Sequence, residues 1–340
     1  MATSRDVAKL AGVSQATVSR AFTPNGKISD ATRQRIVEVA QQLGYVPNLG
    51  ARAMKTGRTN TIGVVVADLT NPFYPEILDV LTAHLDAAGQ KVTLWNSDGP
   101  GGEAAIEAIN AGSIDGIIFT TVTEASPALQ AALDKHRPVV LINRIVDSLS
   151  CDQVASDNRV GGTMVADYLV HSGHTKIGLI GGPATVSTAR DRTAGFTEHL
   201  AAEGITLPAS RVRQGEFSHG FGFRAATELL TSPDPPTAIF CSNDLIAFGA
   251  LDAARALKVS VPQQLWVIGY DDVDMSAWPA FDLTTIHQPS RTMAKAGAEA
   301  LLARIDNPGS PFTTVTFRSR LVPRGSTAHT PAPPAIPSVN

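Results

Sequence analysis

The stretch RDVAKLAGVSQATVSRAF, which spans Arg5–Phe22, decides the N-terminal fold. Ser4 can cap a first short helix, and Gly12 suits its end because glycine readily adopts the left-handed conformation found there. Ser14 can cap a second helix over Gln15–Phe22. The apolar positions of the first helix are Val7, Ala8, Leu10 and Ala11. On the second helix, Val18, Ala21 and Phe22 can face inward. Two short helices joined by a glycine-containing turn predict a helix-turn-helix.

A third helix is predicted further along the same segment. It begins near the cap Ser29 and ends at Gly44. The residues expected to face inward on it are Ile36, Val37, Ala40 and Leu43. Three short helices without a strand-like run indicate an all-α N-terminal domain.

The N-terminal segment is positively charged, although the net charge of the whole chain is negative. The 340 residues include 28 Lys and Arg and 31 Asp and Glu, which gives a net charge of -3. Residues 1–60 contain nine basic and three acidic residues, so their net charge is +6, and the remaining 280 residues carry −9. Such asymmetry indicates a nucleic-acid-binding segment attached to an acidic body. The alternative is a small helical bundle whose basic residues merely form a solvated surface.

Residues 61–322 alternate apolar runs with amphipathic stretches. The predicted strands are Thr61–Ala67, Lys91–Asn96, Gly116–Thr121, Pro138–Asn143, Lys176–Gly181, Thr237–Ser242 and Leu265–Tyr270. The predicted helices include Tyr74–Ala88, Val160–His171, Thr188–Glu203 and Asp244–Leu257. Apolar strands that alternate with helices are typical of parallel sheets covered on both faces. Their number predicts an α/β core of two subdomains, with ligands bound at the carboxyl ends of strands or between the lobes.

Several chemistries have no motif in the sequence. Neither GxGxxG nor GxxxxGK[ST] occurs, and His171 and His174 have no companion ligands at zinc-site spacing. No nucleophile elbow is present, so we expect no catalytic residues, no cofactor and no metal. Cys151 and Cys241 suit buried thiols in a reducing compartment. No apolar run reaches ~18 residues and no signal pattern opens the chain, which predicts a cytoplasmic protein without membrane contact.

Nine stretches, in order, resemble the LacI/GalR family of bacterial transcription regulators. They are RDVAKLAGVSQATVSRAF, GKISDATRQRIVEVAQQLGYVPNLGARAM, TIGVVVADLTNPFYPEI, DGIIFTT, GHTKIGLIGGP, TARDRTAGF, AIFCSNDLIAFGAL, VIGYDDV and LTTIHQP. The resemblance extends from Thr3 to about Thr327. It implies a homodimer, in some members a tetramer, that binds a near-palindromic operator in double-stranded DNA.

The resemblance also implies the domain boundaries. A helix-turn-helix domain would span residues 1–45, and a hinge helix with its linker 46–60. A periplasmic-binding-protein-like core with two doubly wound parallel sheets would span 61–327. Its lobe 1 is expected at about 61–158 and 288–318, and its lobe 2 at about 159–287 and 319–327. The proline-rich residues 328–340 are predicted to form a disordered tail.

The residues that match the family's DNA contacts lie on the second helix and at helix starts. Gln15, Ala16 and Arg20 are expected to face base edges, and the fork of Arg20 suits guanine. The hydroxyl residues expected to contact phosphates are Thr3, Ser14, Thr17, Ser19 and Ser29. Such contacts position a protein without specifying sequence. Simple helix capping is the alternative role for Ser14 and Ser29.

The stretch YVPNLGARAMKTGRTN matches the family's hinge, which folds on the operator and pairs with its dimer mate in the minor groove. A leucine usually enters the central base step there, and Met54 occupies that position in this chain. Methionine is apolar and flexible enough to intercalate. Asn48 and Ala51 keep the family spacing with Met54. A plain interdomain linker is the alternative.

In the core, the resemblance points to an effector cleft between the two lobes. The matching residues are Phe73, Tyr74, Thr120 and Asn143 from lobe 1, and Arg192, Phe217, Asn243 and Asp271 from lobe 2. Aromatic faces stack on sugar rings, while arginine, asparagine and aspartate bind pairs of hydroxyls, so we expect a sugar, sugar acid or related polyol. A purine would also stack. Structural roles are the alternatives: Asn243 as a helix cap, Phe217 in a core and Asp271 in a turn.

Together these features predict a ligand-responsive transcriptional repressor without enzymatic activity. A solute-binding protein with an appended helical segment and an enzyme that uses the cleft are the rival functions. The sequence leaves open the effector, whether it induces or co-represses, the operator, the choice of dimer or tetramer, and a dual regulatory role.

Overall fold

The computed structural model describes residues 2–22, 26–46, 57–67, 69–97, 100–123 and 125–327. The chain divides into two compact units, residues 1–59 and residues 60–340. The predicted hinge residues Asn48, Ala51 and Met54 and the predicted tail, residues 328–340, lie outside the described residues. Within the described ranges, no helix is both long enough and apolar enough to cross a membrane.

The N-terminal unit contains three helices, α1 Ser4–Leu10, α2 Gln15–Ala21 and α3 Asp30–Gln42. Their common core consists of Val7, Ala8, Ala11, Val18, Ala21, Ile36, Val39 and Ala40. The three-helix prediction is therefore confirmed. Helix α2 buries Val18 and Ala21 as expected, while Phe22 caps its end and packs against the core partly buried.

Two details of the helical prediction are wrong, the cap of α1 and one core position of α3. Thr3, not Ser4, caps α1: its hydroxyl accepts from the Asp6 amide, and the Asp6 carboxylate accepts from the Thr3 amide at 2.8 Å. This reciprocal capping box satisfies two backbone donors at the helix start. Leu10 is 59% exposed, because it lies beside the stripe that faces the core.

On α3, Val39 replaces Val37 in the core. Residues 36, 39, 40 and 43 follow the i, i+3, i+4, i+7 pattern of a single helix face, whereas Val37 lies at the edge of that face and is half-buried.

The first core sheet is entirely parallel, with strand order β11-β5-β4-β3-β1-β2. Its strands are β1 Thr61–Val66, β2 Lys91–Asn96, β3 Gly116–Phe119, β4 Val139–Ile142, β5 Asp152–Ser156 and β11 Thr314–Phe317. We call the unit built on this sheet lobe 1. The strands β1, β3, β4 and β5 are almost fully buried because helices cover both faces of the sheet.

The second sheet has the order β12-β10-β9-β8-β6-β7 and is parallel except for the antiparallel pair β10–β12. Its strands are β6 Ile177–Gly181, β7 Val212–Gln214, β8 Ala238–Cys241, β9 Trp266–Asp271, β10 Thr284–His287 and β12 Arg320–Val322. We call the unit built on it lobe 2. The predicted two-sheet α/β core is confirmed.

Eight helices cover the two sheets in the described part of the core. They are α4 Phe73–Ala87, α5 Pro100–Ala111, α6 Pro127–Asp134, α7 Asn158–His171, α8 Ser187–Ala202, α9 His219–Leu230, α10 Asp244–Ala256 and α11 Ser290–Asp306. Every predicted strand is present, and each of the four quoted helices begins within two residues of its predicted start.

The chain passes between the lobes three times: after β5, after β10 and between β11 and β12. Two of these crossovers are joined by a hydrogen bond from the Ser156 hydroxyl to the Gln288 side-chain carbonyl. The Gln288 amide nitrogen donates in turn to the Asp271 carboxylate at 2.6 Å. The end of β9 is therefore connected directly to the interlobe hinge.

Helices α7 and α8 pack backbone against backbone in lobe 2. A Cβ on Gly162 would lie 2.1 Å from the Arg192 carbonyl oxygen, and one on Gly195 would lie 1.9 Å from the Arg159 carbonyl oxygen. Because no side chain fits in either place, glycine is required for this close approach.

Candidate DNA-reading surface and effector cleft

The outward face of α2 carries the residues predicted to read bases. Gln15, Ala16, Ser19 and Arg20 are exposed, while Val18 on the opposite side is fully buried. The burial of Val18 fixes which face of the helix is presented to solvent. The Gln15 amide nitrogen donates to the Ser4 hydroxyl at 2.9 Å, which orders this side chain and leaves its carbonyl oxygen as an acceptor.

Three of the predicted phosphate contacts are helix caps. Thr3 caps α1, and the Ser14 hydroxyl accepts from the Thr17 amide at 3.2 Å. The Ser29 hydroxyl accepts from the Thr32 amide at 3.3 Å. Helix capping, the alternative role of Ser14 and Ser29, is therefore present at both residues. Contact with phosphate stays a prediction for all five hydroxyl residues.

One basic residue of the N-terminal unit has a structural role. Arg33 donates to the carbonyl oxygens of Ala21 and Gly26, and so connects α3 to the end of α2. Its charge adds to the positive potential of this unit, but its guanidinium is already engaged by the fold.

The core brings together seven of the eight predicted effector residues. Side chains from both lobes line a common cleft, and they are Asn71, Phe73, Tyr74, Asn143, Arg144, Thr188, Arg192, Phe217, Asn243 and Asp271. The predicted Thr120 is not among them; its buried hydroxyl donates to the Val65 carbonyl oxygen at 3.2 Å. The free volume of the cleft is about 10 Å³, enough for roughly one water molecule, so the lobes are closed on each other.

Three larger hollows, of about 370, 430 and 560 Å³, lie elsewhere on the core and contain none of the predicted site residues. We place the site in the closed cleft because its polar groups converge from both lobes, whereas volume alone identifies no chemistry.

On the lobe 2 side, Arg192 is surrounded by partners. Its Nε donates to Asn158 Oδ1 at 2.8 Å, and its Nη1 donates to the Ser242 carbonyl oxygen at 2.6 Å. The same Nη1 lies 3.3 Å from Asp271 Oδ1. The guanidinium also stacks over the Tyr270 ring, 3.7 Å from its centre. This arginine is therefore neutralised and held by lobe 2 itself.

Asp271 stands at the end of β9 with a φ of 122°, a conformation that is strained for any residue with a side chain. Burial raises its pKa to about 6, against the opposing effect of Arg192. Asp244, directly behind it, accepts hydrogen bonds from Ser276 at 2.6 Å and from Thr285 at 2.5 Å. Burial and the neighbouring Asp271 raise the pKa of Asp244 to about 8.

On the lobe 1 side, the polar groups are poorly matched. Arg144, which follows β4, donates to the Thr188 hydroxyl at 3.3 Å and to the Tyr74 hydroxyl at 3.4 Å. Its Nε is buried and has no hydrogen-bond partner among the described residues. The same is true of the Asn143 side-chain oxygen, and Asn143 has a left-handed φ of 72°.

Three further residues that the sequence did not predict also line the cleft: Asn71, Arg144 and Thr188. A signal existed for two of them. Arg144 directly follows a predicted cleft residue at the end of a strand, and Thr188 lies one helical turn before Arg192.

Comparison with known proteins identifies the two parts of the chain. Residues 3–48 match the family of bacterial regulatory proteins called the lacI family, and residues 166–327 match the periplasmic binding protein-like domain. The HTH-type transcriptional repressor PurR of Aliivibrio salmonicida (strain LFI1238) is 32% identical over 309 residues, which cover 90% of this chain and 92% of that protein.

Solved structures give the same picture over the full length. The lac repressor dimer bound to operator and the anti-inducer ONPF is 27% identical with a TM-score of 0.84, covering 96% of this chain and 99% of that chain. A complex of the transcriptional regulator CelR with cellobiose is 29% identical with a TM-score of 0.74, covering 96% and 100%. The chain therefore belongs to the lacI family of bacterial regulatory proteins, a family of DNA-binding transcriptional repressors and not of enzymes.

Proposed function

We propose that this chain is a ligand-responsive repressor that binds a near-palindromic operator as a homodimer or a tetramer in the cytoplasm. The observation that carries the proposal is the presence in one chain of an exposed reading face on α2 and a cleft lined by polar side chains from both lobes. The similar lac repressor binds operator as a dimer, and the similar CelR binds cellobiose, which supports both halves of the proposal.

At the operator, α2 enters the major groove. Arg20 contacts a guanine, Gln15 contacts an adjacent base, and Ala16 contacts a thymine methyl or leaves room for it. The hydroxyl residues at the helix starts contact phosphates. The hinge segment around Met54 pairs with its copy in the minor groove and kinks the duplex.

In the core, a sugar, sugar acid or related polyol occupies the cleft and changes the relative orientation of the lobes. The strands β5, β10 and β11 lead into the hinge, so a change in how far the two lobes close moves lobe 1. This movement alters the lobe 1 surfaces that set the spacing of the two helix-turn-helix units in the dimer. Effector and operator then influence each other's binding through two global states, and the coupling is reciprocal.

An operator titration tests the DNA half of the proposal. A sequence selected from a random duplex library is titrated at several salt concentrations, and affinity should fall steeply as salt rises. Arg20→Ala should weaken binding to this sequence by about 1–3 kcal/mol and leave non-specific binding nearly unchanged. The control Lys9→Ala removes an exposed charge from α1 and should weaken specific and non-specific binding alike. Unchanged specific affinity in Arg20→Ala would contradict the reading role.

A further inference from the structure

Arg144 is a buried cation whose charge reaches the Asp271 carboxylate only from beyond ion-pair distance. It is only 6% exposed, and no carboxylate lies within ion-pair distance of it in the part of the chain that the structure describes. A guanidinium has five donors, yet Arg144 makes only two hydrogen bonds to described residues, both long and both to neutral hydroxyls. A buried charge without an ion pair is unfavourable unless a further group binds and neutralises it.

The other buried arginines show how this chain usually satisfies such a group. Arg304 is 5% exposed and binds Asp152 through two bonds of 2.8 and 3.0 Å. Arg192 has Asp271 as its counter-ion, two further hydrogen bonds and an aromatic face. Arg144 alone among these three lacks a carboxylate, and it is the one that lines the lobe 1 side of the cleft.

The charges that line the cleft do not balance. Two arginines and one aspartate, Arg144, Arg192 and Asp271, leave one positive charge in excess. The nearby carboxylates are engaged elsewhere: Glu76 accepts from the Asp274 amide at 3.0 Å, and Asp244 is bonded inside lobe 2. Neither of these two lines the cleft.

From this we infer that the effector carries an anionic group, a carboxylate or a phosphate, that pairs with the Arg144 guanidinium. The inference rests on the proposed function and narrows its effector from polyols in general to acidic ones. Asn143 directly precedes Arg144, and its side-chain oxygen has no partner among the described residues. This oxygen accepts a hydrogen bond from a hydroxyl of the effector that lies close to the anionic group. Phe73 and Phe217 supply apolar faces for the carbon skeleton. A sugar acid or a sugar phosphate combines all three features.

Matched ligand pairs test the inference on the full chain. Thermal stability and calorimetric titration compare gluconate with glucitol, glucuronate with glucose, ribose 5-phosphate with ribose, and glucose 6-phosphate with glucose, with inorganic phosphate as a separate probe. We expect binding of the acidic member of at least one pair to be at least tenfold tighter than that of its neutral member. The carboxylate and phosphate arms distinguish the two sources of charge.

Variants then assign the preference to Arg144. Arg144→Gln should abolish the advantage of the acidic member, with a loss of at least tenfold in its affinity, and Arg144→Lys should retain part of it because the charge remains. Arg291→Gln, which removes an exposed arginine on α11, is the matched control and should bind as the unmodified chain does. Equal responses to both members of every pair, including no response to either, would overturn the inference, as would an acid preference that survives in Arg144→Gln.

Operator titrations separate this inference from the proposed function. If an acid binds through Arg144 but leaves operator affinity unchanged, the ligand-responsive function is wrong and the assignment of the anionic site stands. If a neutral sugar shifts operator affinity equally in the unmodified chain and in Arg144→Gln, the function stands and the anionic site is wrong.

Discussion

The two sides of the cleft are equally buried but differ in how their polar groups are satisfied. On the lobe 2 side, Arg192 and Asp271 hold each other and are held by the hinge residue Gln288. On the lobe 1 side, Arg144 and Asn143 each retain a buried atom without a partner. The contrast concerns charge, since the hydroxyls of Ser242 and Tyr270 in lobe 2 also lack a partner among the described residues. A charge paired inside its own lobe belongs to the fold, whereas a buried charge without an ion pair is available to a ligand. Burial alone would have ranked these residues together.

The largest expected difference concerns the two arginines. Arg192→Met should lower the free energy of unfolding by about 3–5 kcal/mol, because it leaves the Asp271 carboxylate buried without its counter-ion. Arg144→Met should change it by less than about 1 kcal/mol, since no carboxylate is left behind. Urea denaturation measures both. The double variant Arg192→Met with Asp271→Asn should recover much of the loss, and equal losses in the two single variants would remove the distinction between the sides.

A second difference concerns pH. In lobe 2, burial raises the pKa of Asp244 to about 8, above the ~3.9 of an unfolded aspartate. The folded state therefore binds this proton more tightly, so unfolding free energy should fall as pH rises from about 4 to about 8, by at most about 1.4 kcal/mol per pH unit. In lobe 1 the pKa shift of Asp152 has the opposite sign: burial would raise this pKa, but hydrogen bonds from Arg304 and Thr313 lower it below its usual value. Its contribution to the unfolding free energy is therefore lost as pH falls and not as pH rises.

Urea denaturation at pH 5, 6, 7 and 8 tests the lobe 2 carboxylate with Asp244→Asn. This variant should become progressively more stable than the unmodified chain as pH rises. Asp79→Asn, at an exposed ion pair, is the control and should follow the unmodified chain. Parallel curves for Asp244→Asn would show that the carboxylate does not titrate in this range.

The smallest expected difference concerns two of the asparagines that line the cleft, one from each lobe. Asn243 caps α10, because its side-chain oxygen accepts from the Ile246 amide at 2.9 Å, and Asn243→Ala should cost about 1 kcal/mol. Asn143→Gly should be close to neutral, since it removes an unpartnered oxygen and relieves a left-handed residue. Thermal denaturation with and without effector measures both. A stability loss in Asn143→Gly equal to that in Asn243→Ala would contradict the contrast.

The sequence predicted what depends on local periodicity. The long buried strands β1, β6 and β9 were evident as apolar runs, while β7 and β12, each three residues long, have too few side chains to show a pattern. The cleft residues came from family resemblance, and seven of eight do meet there. Arg144 was missed because its burial arises when α8, 44 residues away at Thr188, packs over it. Its position directly after Asn143 at a strand end indicated that it lies near the cleft, but no local pattern shows that it is buried there without an ion pair.

The glycine contact between α7 and α8 has a mechanical consequence. Helices that touch through side chains can absorb a small displacement by changing rotamers, but helices that touch through backbone at Gly162 and Gly195 have no such slack. Helix α7 begins two residues after β5 enters the hinge, and α8 carries Thr188 and Arg192 into the cleft. We therefore expect α7 and α8 to move together whenever the angle at the hinge changes, and to displace the cleft residues on α8 with them.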